Sequence, residues 1–415
     1  MTTPPLRPWY VDRSRYELGL QHCLAARHYE YNHLGTGIRA GRRSLPLLTG
    51  TGAHEPIADI LQVVKAGGVP SDADIRTLID GAQDRFMGAA EAGFSVREGP
   101  PMNPIDHAFT VKEQCALIEG MTWGWARTVL PVILEHFTIM AVEEEYLLEL
   151  DPDYRGFQLV LQTTPDFVAR DRRTGELGVH DPKTAAKIDD RWRAGWVMSA
   201  QMMVQTRAAE LAYEEPCTHY WIHGLLKERR GKFTSKGRET GERQYSHLLY
   251  ASIEPHNPPV NKGTKWKTSG YWIDKRPIWE TTFSQNEAGM RPVEWWVKNG
   301  LTNEELGEMF VLAGPYQRQG HMIDQLLKEM VTHERWWIDT YLDHGPAPEW
   351  SGRIVRSWQC QYGPGFEPCS FIPLCQQQAG YEDPLRMPSA KFVRREPHHD
   401  AEKVLQQQQT QGEGK

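Results

Sequence analysis

The alternation of apolar and polar positions changes period several times along the chain, and each change marks an element. Residues 14–33 (SRYELGLQHCLAARHYEYNH) repeat apolar and aromatic side chains at Leu18, Cys23, Ala26 and Tyr29, the spacing of one helix face. A Gly-rich basic link follows. LTGTGAHEPIADILQVVKAG then reads as a glycine turn running into a helix, with Pro56 in its first turn. Residues 71–148 are mostly helical in pattern. PSDADIRTLIDGAQDRF opens acidic, KEQCALIEGMTWGWARTVLPVILEHF is apolar along one side, and TIMAVEEEYLLEL changes period and enters a sheet.

Residues 156–184 read as β structure. GFQLVLQTTPDFVARD and ELGVHDPKT are separated by RRTG, a turn with Gly175 where positive φ is tolerated. A long helix is expected over 191–213, then a strand in THYWIHGLLKE with SHLLYASIEP as its pairing partner. Between them ERRGKFTSKGRETGERQ is polar and basic and reads as a mobile loop. Residues 290–343 return to helix, and the Gln-rich end from 401 reads as disordered. No internal repeat is visible. The order of elements predicts an α/β core with a helical insertion at about 71–140.

Composition narrows this picture. A chain of 415 residues, 40% hydrophobic and 24% charged, is globular, with room for one large domain or two ordinary ones. No apolar run reaches the roughly 18 residues of a membrane span, so no membrane partner is expected. The first residues lack a basic stretch followed by an apolar one, which points to a cytosolic protein. A net charge of -7 counts mildly against a general polyanion binder, but local patches decide phosphate contact. In that compartment the six cysteines are not expected to form disulfides.

The chemistry concentrates in VHDPKT. Side chains alternate along a strand, so Asp181 and Lys183 share a face. Asp166 lies just across the RRTG turn. A three-residue turn closed by Gly175 would set it opposite Pro182, and a bulge or strand end would then be needed. Carboxylates converging on one point repel unless a cation lies between them, and hard oxygen ligands suit Mg²⁺ or Mn²⁺. Such a metal polarises a phosphoryl oxygen, and a neighbouring lysine can orient the attacking water or stabilise developing charge. The plain alternative is a surface hairpin bearing an Asp-Lys pair.

These residues resemble the PD-(D/E)XK nuclease superfamily, in particular its RecB-like branch of CRISPR-associated and phage exonucleases with an iron–sulfur cluster. Pro165-Asp166 matches the PD element and Asp181-Pro182-Lys183 the (D/E)XK element. GTGAHEPIADIL matches the G-x-x-x-H-E element that opens an early helix, and SAQMMVQTRAAEL the helix carrying Q-x-x-x-Y. The resemblance implies a restriction-endonuclease-like fold, a mixed sheet flanked by helices. It makes His54, Asp166, Asp181 and the Pro182 carbonyl metal ligands, Lys183 the water-positioning lysine and Gln201 a supporting catalytic residue. The sequence departs from the pattern at Gln205, where the family often has tyrosine. It departs again at Pro182, which removes a ladder donor and suggests an edge or a bulge.

CQYGPGFEPCSFIPLC places Cys360, Cys369 and Cys375 with eight and five residues between them, and no C-x₂₋₄-C pair of the zinc type occurs. Three cysteines need a fourth ligand, and Cys23 is the candidate. The family resemblance, one cysteine before the core and three after it, implies a 4Fe–4S cluster. Zinc is the alternative metal. Cys115 and Cys217, in apolar surroundings, belong to the core.

Phosphate contacts are expected from Lys227, Arg229, Arg230 and Lys232. NKGTKWKTSGYW interleaves Lys262, Lys265 and Lys267 with Trp266, a pattern suited to a single strand because bases stack on aromatic rings. The reading is a metal-dependent deoxyribonuclease, foremost an exonuclease. Its alternatives are a structure-specific or single-strand endonuclease and an inactive DNA-binding recombination accessory protein. By resemblance, the setting is DNA repair, recombination or phage DNA processing in a bacterial or phage-infected cytosol. The partners implied are a recombinase, a single-strand annealing protein or a helicase.

Overall fold

A computed structural model describes residues 6–19, 24–32, 37–40, 43–91, 94–95, 104–227, 229–233, 239–245, 248, 250–252, 275–280, 289–318, 320–344, 369, 371, 374 and 392–395. Its centre is a five-stranded mixed sheet in the order β15-β10-β9-β8-β5: Phe310–Gln317, His219–Leu226, Leu177–Ala185, Phe167–Asp171 and Phe137–Val142. β9 and β10 are parallel; the other neighbours are antiparallel. A second sheet joins β1 (Arg7–Val11), β7 (Phe157–Thr163) and β6 (Tyr146–Tyr154). Short pairs link β2 (Ile38–Ala40) with β16 (Phe392–Arg394), β3 (Arg43–Ser44) with β4 (Phe94–Ser95), β11 (Arg229–Phe233) with β12 (Glu239–Tyr245), and β13 (Tyr250–Ser252) with β14 (Lys275–Pro277).

Helices cover both faces of the central sheet. Phe137, Phe167, Ala169 and Trp221 pack with Ile57 and Leu61 of α3 (Leu45–Lys65) and Met121 and Trp125 of α5 (Pro104–Thr128). On the other face Val168, Val179, Tyr220 and Ile222 meet Met202 and Ala208 of α8 (Ala200–Tyr213) and Ile323 and Met330 of α11 (Gly320–His344). Covered twice, β9 is buried from Leu177 to Pro182. This is the α/β arrangement expected from the order of elements, built on a mixed sheet with flanking helices. Among the described residues no helix is long and apolar enough to cross a membrane.

Several boundaries differ from the sequence reading. The first helix is divided into α1 (Arg13–Glu17), α2 (Leu24–Arg27) and a π-helical turn, His28–Asn32. α3 begins at Leu45, so Gly50, Gly52, His54 and Pro56 lie inside the helix rather than at its start. Gly52 is there for packing: a Cβ would stand 2.6 Å from Ile118 Cδ1 on α5. The helical stretch, α4 (Asp72–Glu91), α5 and α6 (Leu130–His136), ends before residue 140, because 137–142 forms edge strand β5. The helix expected over 191–213 is broken into α7 (Asp190–Trp196) and α8, where Ser199 accepts from Met202 N as N-cap.

β13 pairs with β14 and not with β10, whose edges are taken by β9 and β15. The basic stretch expected as a loop forms the β11–β12 antiparallel pair instead. Residues 290–343 contain α9 (Pro292–Trp295), α10 (Asn303–Met309) and the unanticipated strand β15 before α11. Pro182 stands in a central strand rather than at an edge. It is tolerated because the pairing with β8 ends at His180, so on that side proline removes no ladder bond. The Gln-rich end lies outside the described residues.

Candidate metal centre

The β8–β9 hairpin sets the site. Asp171 N donates to Glu176 O at 2.9 Å, so Arg172–Gly175 form a four-residue turn, with Gly175 at φ 79°. Ladder pairs run from Arg170↔Leu177 to Phe167↔His180. One step further the same register brings Asp166 opposite Asp181, not opposite Pro182 as a three-residue turn would require. A single added turn residue moves Asp166 onto the face of Asp181 and Lys183, with no bulge.

α3 supplies the third group. A Cβ at Gly50 would come 3.4 Å from Thr184 Oγ1, so the helix passes close to the end of β9. His54, one turn on, projects from the same side. Ligand atoms of His54, Asp166 and Asp181 all lie within 4.8 Å of one another. His54 Nδ1 is 3.7 Å from Asp166 Oδ2. Lys183 Nζ is 2.7 Å from Asp181 Oδ1, and Gln201 Nε2 donates to Asp181 Oδ2 at 2.8 Å. Asp181 is fully enclosed, whereas His54, Asp166 and Lys183 reach the surface in part.

The electrostatics fit a cation. Burial, reinforced by the charge of Asp166, pushes the Asp181 carboxyl up to about 8, although Lys183 and His54 pull it down. Burial and Lys183 push His54 down to about 4, against Asp181 and Glu143, so its imidazole is neutral at pH 7. Burial alone would lower Lys183, but Asp181 and Asp166 outweigh it and hold the ammonium charged. Asp166 Oδ2 is enclosed with no hydrogen-bond donor. Once a cation displaces the Asp181 proton, two carboxylates with a neutral imidazole make a hard donor set suited to Mg²⁺ or Mn²⁺.

A stability test follows. In metal-free protein Asp181 keeps its proton to about pH 8, whereas the unfolded chain loses it near pH 4. The native state holds the extra proton over that interval, so this group makes stability fall as pH rises. His54 acts oppositely between about 4 and 6.5, where only the unfolded chain is protonated. Above 6.5 His54 no longer opposes Asp181, which removes about 2 kcal/mol by pH 8, and the buried Glu119 carboxyl, pushed up to about 7, adds a smaller fall in the same direction. The melting temperature in chelator should drop between pH 6.5 and 8. Saturating Mn²⁺ should cancel the drop, since metal takes the deprotonated carboxylate. A flat or rising melting temperature in chelator would contradict the buried setting of Asp181.

Sequence reasoning missed five contributors. Arg13, on α1, donates from Nη2 to Gln201 Oε1 at 3.4 Å and from Nη1 to Glu17 Oε2 at 2.7 Å, so it orients the amide that faces Asp181. Glu143, in the left-handed region at φ 47°, donates its backbone N–H to Asp166 O at 2.9 Å. Behind Asp181, Trp125 Nε1 donates to His223 Nδ1 at 3.0 Å. His223 Nε2 lies 3.1 Å from His180 Nδ1. Because indole only donates, neutral His223 carries its proton on Nε2 and gives the second bond to His180. His180 is stacked between Phe167 and Trp221, both at 4.6 Å. This packing fixes β9 one residue from Asp181. The only sequence signal for it was histidine inside an apolar strand.

The remaining expectations divide by position. Gln205 is buried and donates to Thr164 O at 3.3 Å, bracing the backbone just before Pro165-Asp166 rather than facing solvent. Pro182 is buried beside the site. Lys227 Nζ donates to Pro46 O at 3.1 Å, and its charge acts on His54. Arg229, Arg230 and Lys232 lie on β11. Lys262, Lys265, Trp266 and Lys267 lie outside the described residues, as do Cys23, Cys360 and Cys375. Cys369 packs in one apolar cluster with Ala25, Ala26, Tyr29 and Phe371. Cys217 is buried in the core, as expected, and Cys115 is half-buried. No protein-family model matches the chain, and no curated protein matches it in sequence.

Proposed function

We propose that the chain is a metal-dependent deoxyribonuclease with a PD-(D/E)XK core, foremost an exonuclease. One observation carries the reading: His54, Asp166 and Asp181 converge within 4.8 Å with the Lys183 ammonium 2.7 Å from Asp181. The order helix, hairpin, helix, strand around these residues also supports that core. His54, Asp166 and Asp181 would hold Mg²⁺ or Mn²⁺, and the Pro182 carbonyl stands next to them in sequence. When bound, such an ion polarises the scissile phosphate and acidifies a water.

The protein's own groups do the rest. Lys183 shares the face of Asp181 and directs its charge to where the attacking water and the extra phosphoryl charge would lie. Gln201, itself held by Arg13, fixes the Asp181 carboxylate. His54, neutral at working pH, keeps a ring lone pair for coordination. A 4Fe–4S cluster on Cys23, Cys360, Cys369 and Cys375 is the second part of the proposal. Its support is that Cys369 packs against α2, the helix that directly follows Cys23.

The test is purified protein with labelled single- and double-stranded DNA, linear and circular, with chelator, Mg²⁺ or Mn²⁺. Metal-dependent release of mononucleotides from linear DNA is expected. Cutting of circular single strands would make the enzyme an endonuclease, and binding without cleavage would leave an accessory protein.

A further inference from the structure

We propose that α7 and the turn after it form a landing for an unpaired DNA strand beside the metal centre. This rests on the nuclease reading and adds the form of the substrate. α7 lies in the chain between Lys183 and Gln201, and none of its residues is buried. The turn that follows exposes Val197 by 46% and Met198 by 63%. Trp192 and Trp196 meet edge to face with centroids 5.8 Å apart. With Asp189, Arg191 and Gly195 they line an open cavity of about 440 Å³.

The helix is tied to the site. A Cβ on Gly224 would fall 2.9 Å from Trp192 Cη2, so the indole lies over that glycine. Gly224 is the ladder partner of Lys183. Directly paired residues point to the same face, so Trp192 stands on the face that carries Lys183 and Asp181. The backbone of α7 is pinned as well. Asp189 accepts from Trp192 N at 2.9 Å, Tyr220 donates to Trp196 O at 2.8 Å, and Tyr316 donates to Arg193 O at 3.2 Å. A fixed backbone therefore presents aromatic, apolar and guanidinium groups to solvent, next to the proposed hydrolytic centre.

That combination fits an unpaired strand. Every base has a π-face that stacks on an aromatic ring without regard to sequence, and a duplex hides those faces. Exposed Arg191 and Arg193 can take phosphates. Of the nearby carboxylates, Asp189 is neutralised by Lys187 at 2.7 Å. Val197 and Met198 can wedge against a terminal base, as apolar side chains do between base steps.

The experiment uses the full chain with Ca²⁺ in place of the catalytic metal, so that DNA is held without turnover. Fluorescence anisotropy would follow an oligothymidylate of about 20 nucleotides and a blunt hairpin duplex with the same number of phosphates. Trp192→Leu and Met198→Ser should each weaken binding of the single strand about tenfold and leave the duplex within about twofold. Arg191→Gln/Arg193→Gln should flatten the salt dependence on the single strand by about 1.4 in log–log slope. Calorimetric Mn²⁺ affinity should not change in any of them. Variants that bind oligothymidylate like the wild type would overturn the α7 landing and leave the nuclease reading standing. Equal losses on both DNAs would overturn the preference for an unpaired strand. A wild-type chain that binds neither DNA would overturn the nuclease reading and this one with it. Met198 and the two arginines are exposed, so these variants decide the matter even if Trp192→Leu fails to fold.

Discussion

Lys183→Ala should lower metal-dependent cleavage by about 10²–10³-fold, and Asp181→Ala should bring it to the level seen in chelator. The two losses have different origins. Asp181 offers a ligand atom within 4.8 Å of those of His54 and Asp166, so its removal weakens the metal itself. Lys183 is not among those three; it contributes a charge 2.7 Å from Asp181 and partly exposed. Removing that charge also lets the Asp181 carboxyl rise further, because Lys183 is one of the groups pulling it down. Lys183→Ala should therefore bind Mn²⁺ more weakly at pH 7 and recover affinity at higher pH, while cleavage at saturating Mn²⁺ stays low. Turnover measured at saturating metal, beside calorimetric metal titrations at two pH values, separates these effects. Native turnover in Lys183→Ala would remove the lysine from the chemistry. Both variants should keep a cooperative melt, since neither side chain belongs to the apolar clusters.

The contrast between what was legible and what was not follows the range of the interactions. Asp181 and Lys183 share a face because a strand has period two, which needs no tertiary information. The register of Asp166 needed the turn length, and RRTG serves either as a four-residue turn or as part of a shorter one. One residue of slip would have sent its carboxylate to the other face. His54 was found as a ligand candidate, but its helix was started too late. Gly50 and Gly52 look like a turn locally, and only Ile118, far along the chain, shows why position 52 is glycine. β15 was hidden because FVLAGPYQ contains a Gly-Pro step, which an edge strand accepts and local propensity reads as a break. Trp125, His223 and His180 come from three separated stretches, so their chain of hydrogen bonds has no sequence pattern at all.

A buried long-range ion pair gives the largest expected effect on stability. Glu334→Gln should cost about 3–5 kcal/mol, because it strands a buried guanidinium. Arg27 on α2 and Glu334 on α11 are 307 residues apart, and their side chains are 1% and 0% exposed. The pair is two-pronged, at 2.7 and 2.5 Å, and Trp9 Nε1 on β1 adds a third donor at 2.9 Å. The Arg27 guanidinium also lies 4.5 Å from the centre of the Trp337 ring. Burial alone would lift the Glu334 carboxyl, but the Arg27 charge and bonds from His333, Arg27 and Trp9 outweigh it and hold it at about 2. A depressed carboxyl contributes stability above its unfolded value, near 4.3, and loses it as pH falls through the folded one. The amount is about 3 kcal/mol. The wild type should therefore shed stability between pH 4 and 2, and Glu334→Gln should shed less there. Arg27→Met combined with Glu334→Gln should recover part of the loss, since no buried charge is then left alone. Thermal melts of the three chains at pH 7 and pH 3 measure all of this. A Glu334→Gln chain that melts with the wild type at pH 7 would mean that the pair does not fasten α2 to α11. His54, Asp166 and Asp181 lie on other elements, so Glu334→Gln should bind Mn²⁺ as the wild type does at temperatures where it remains folded.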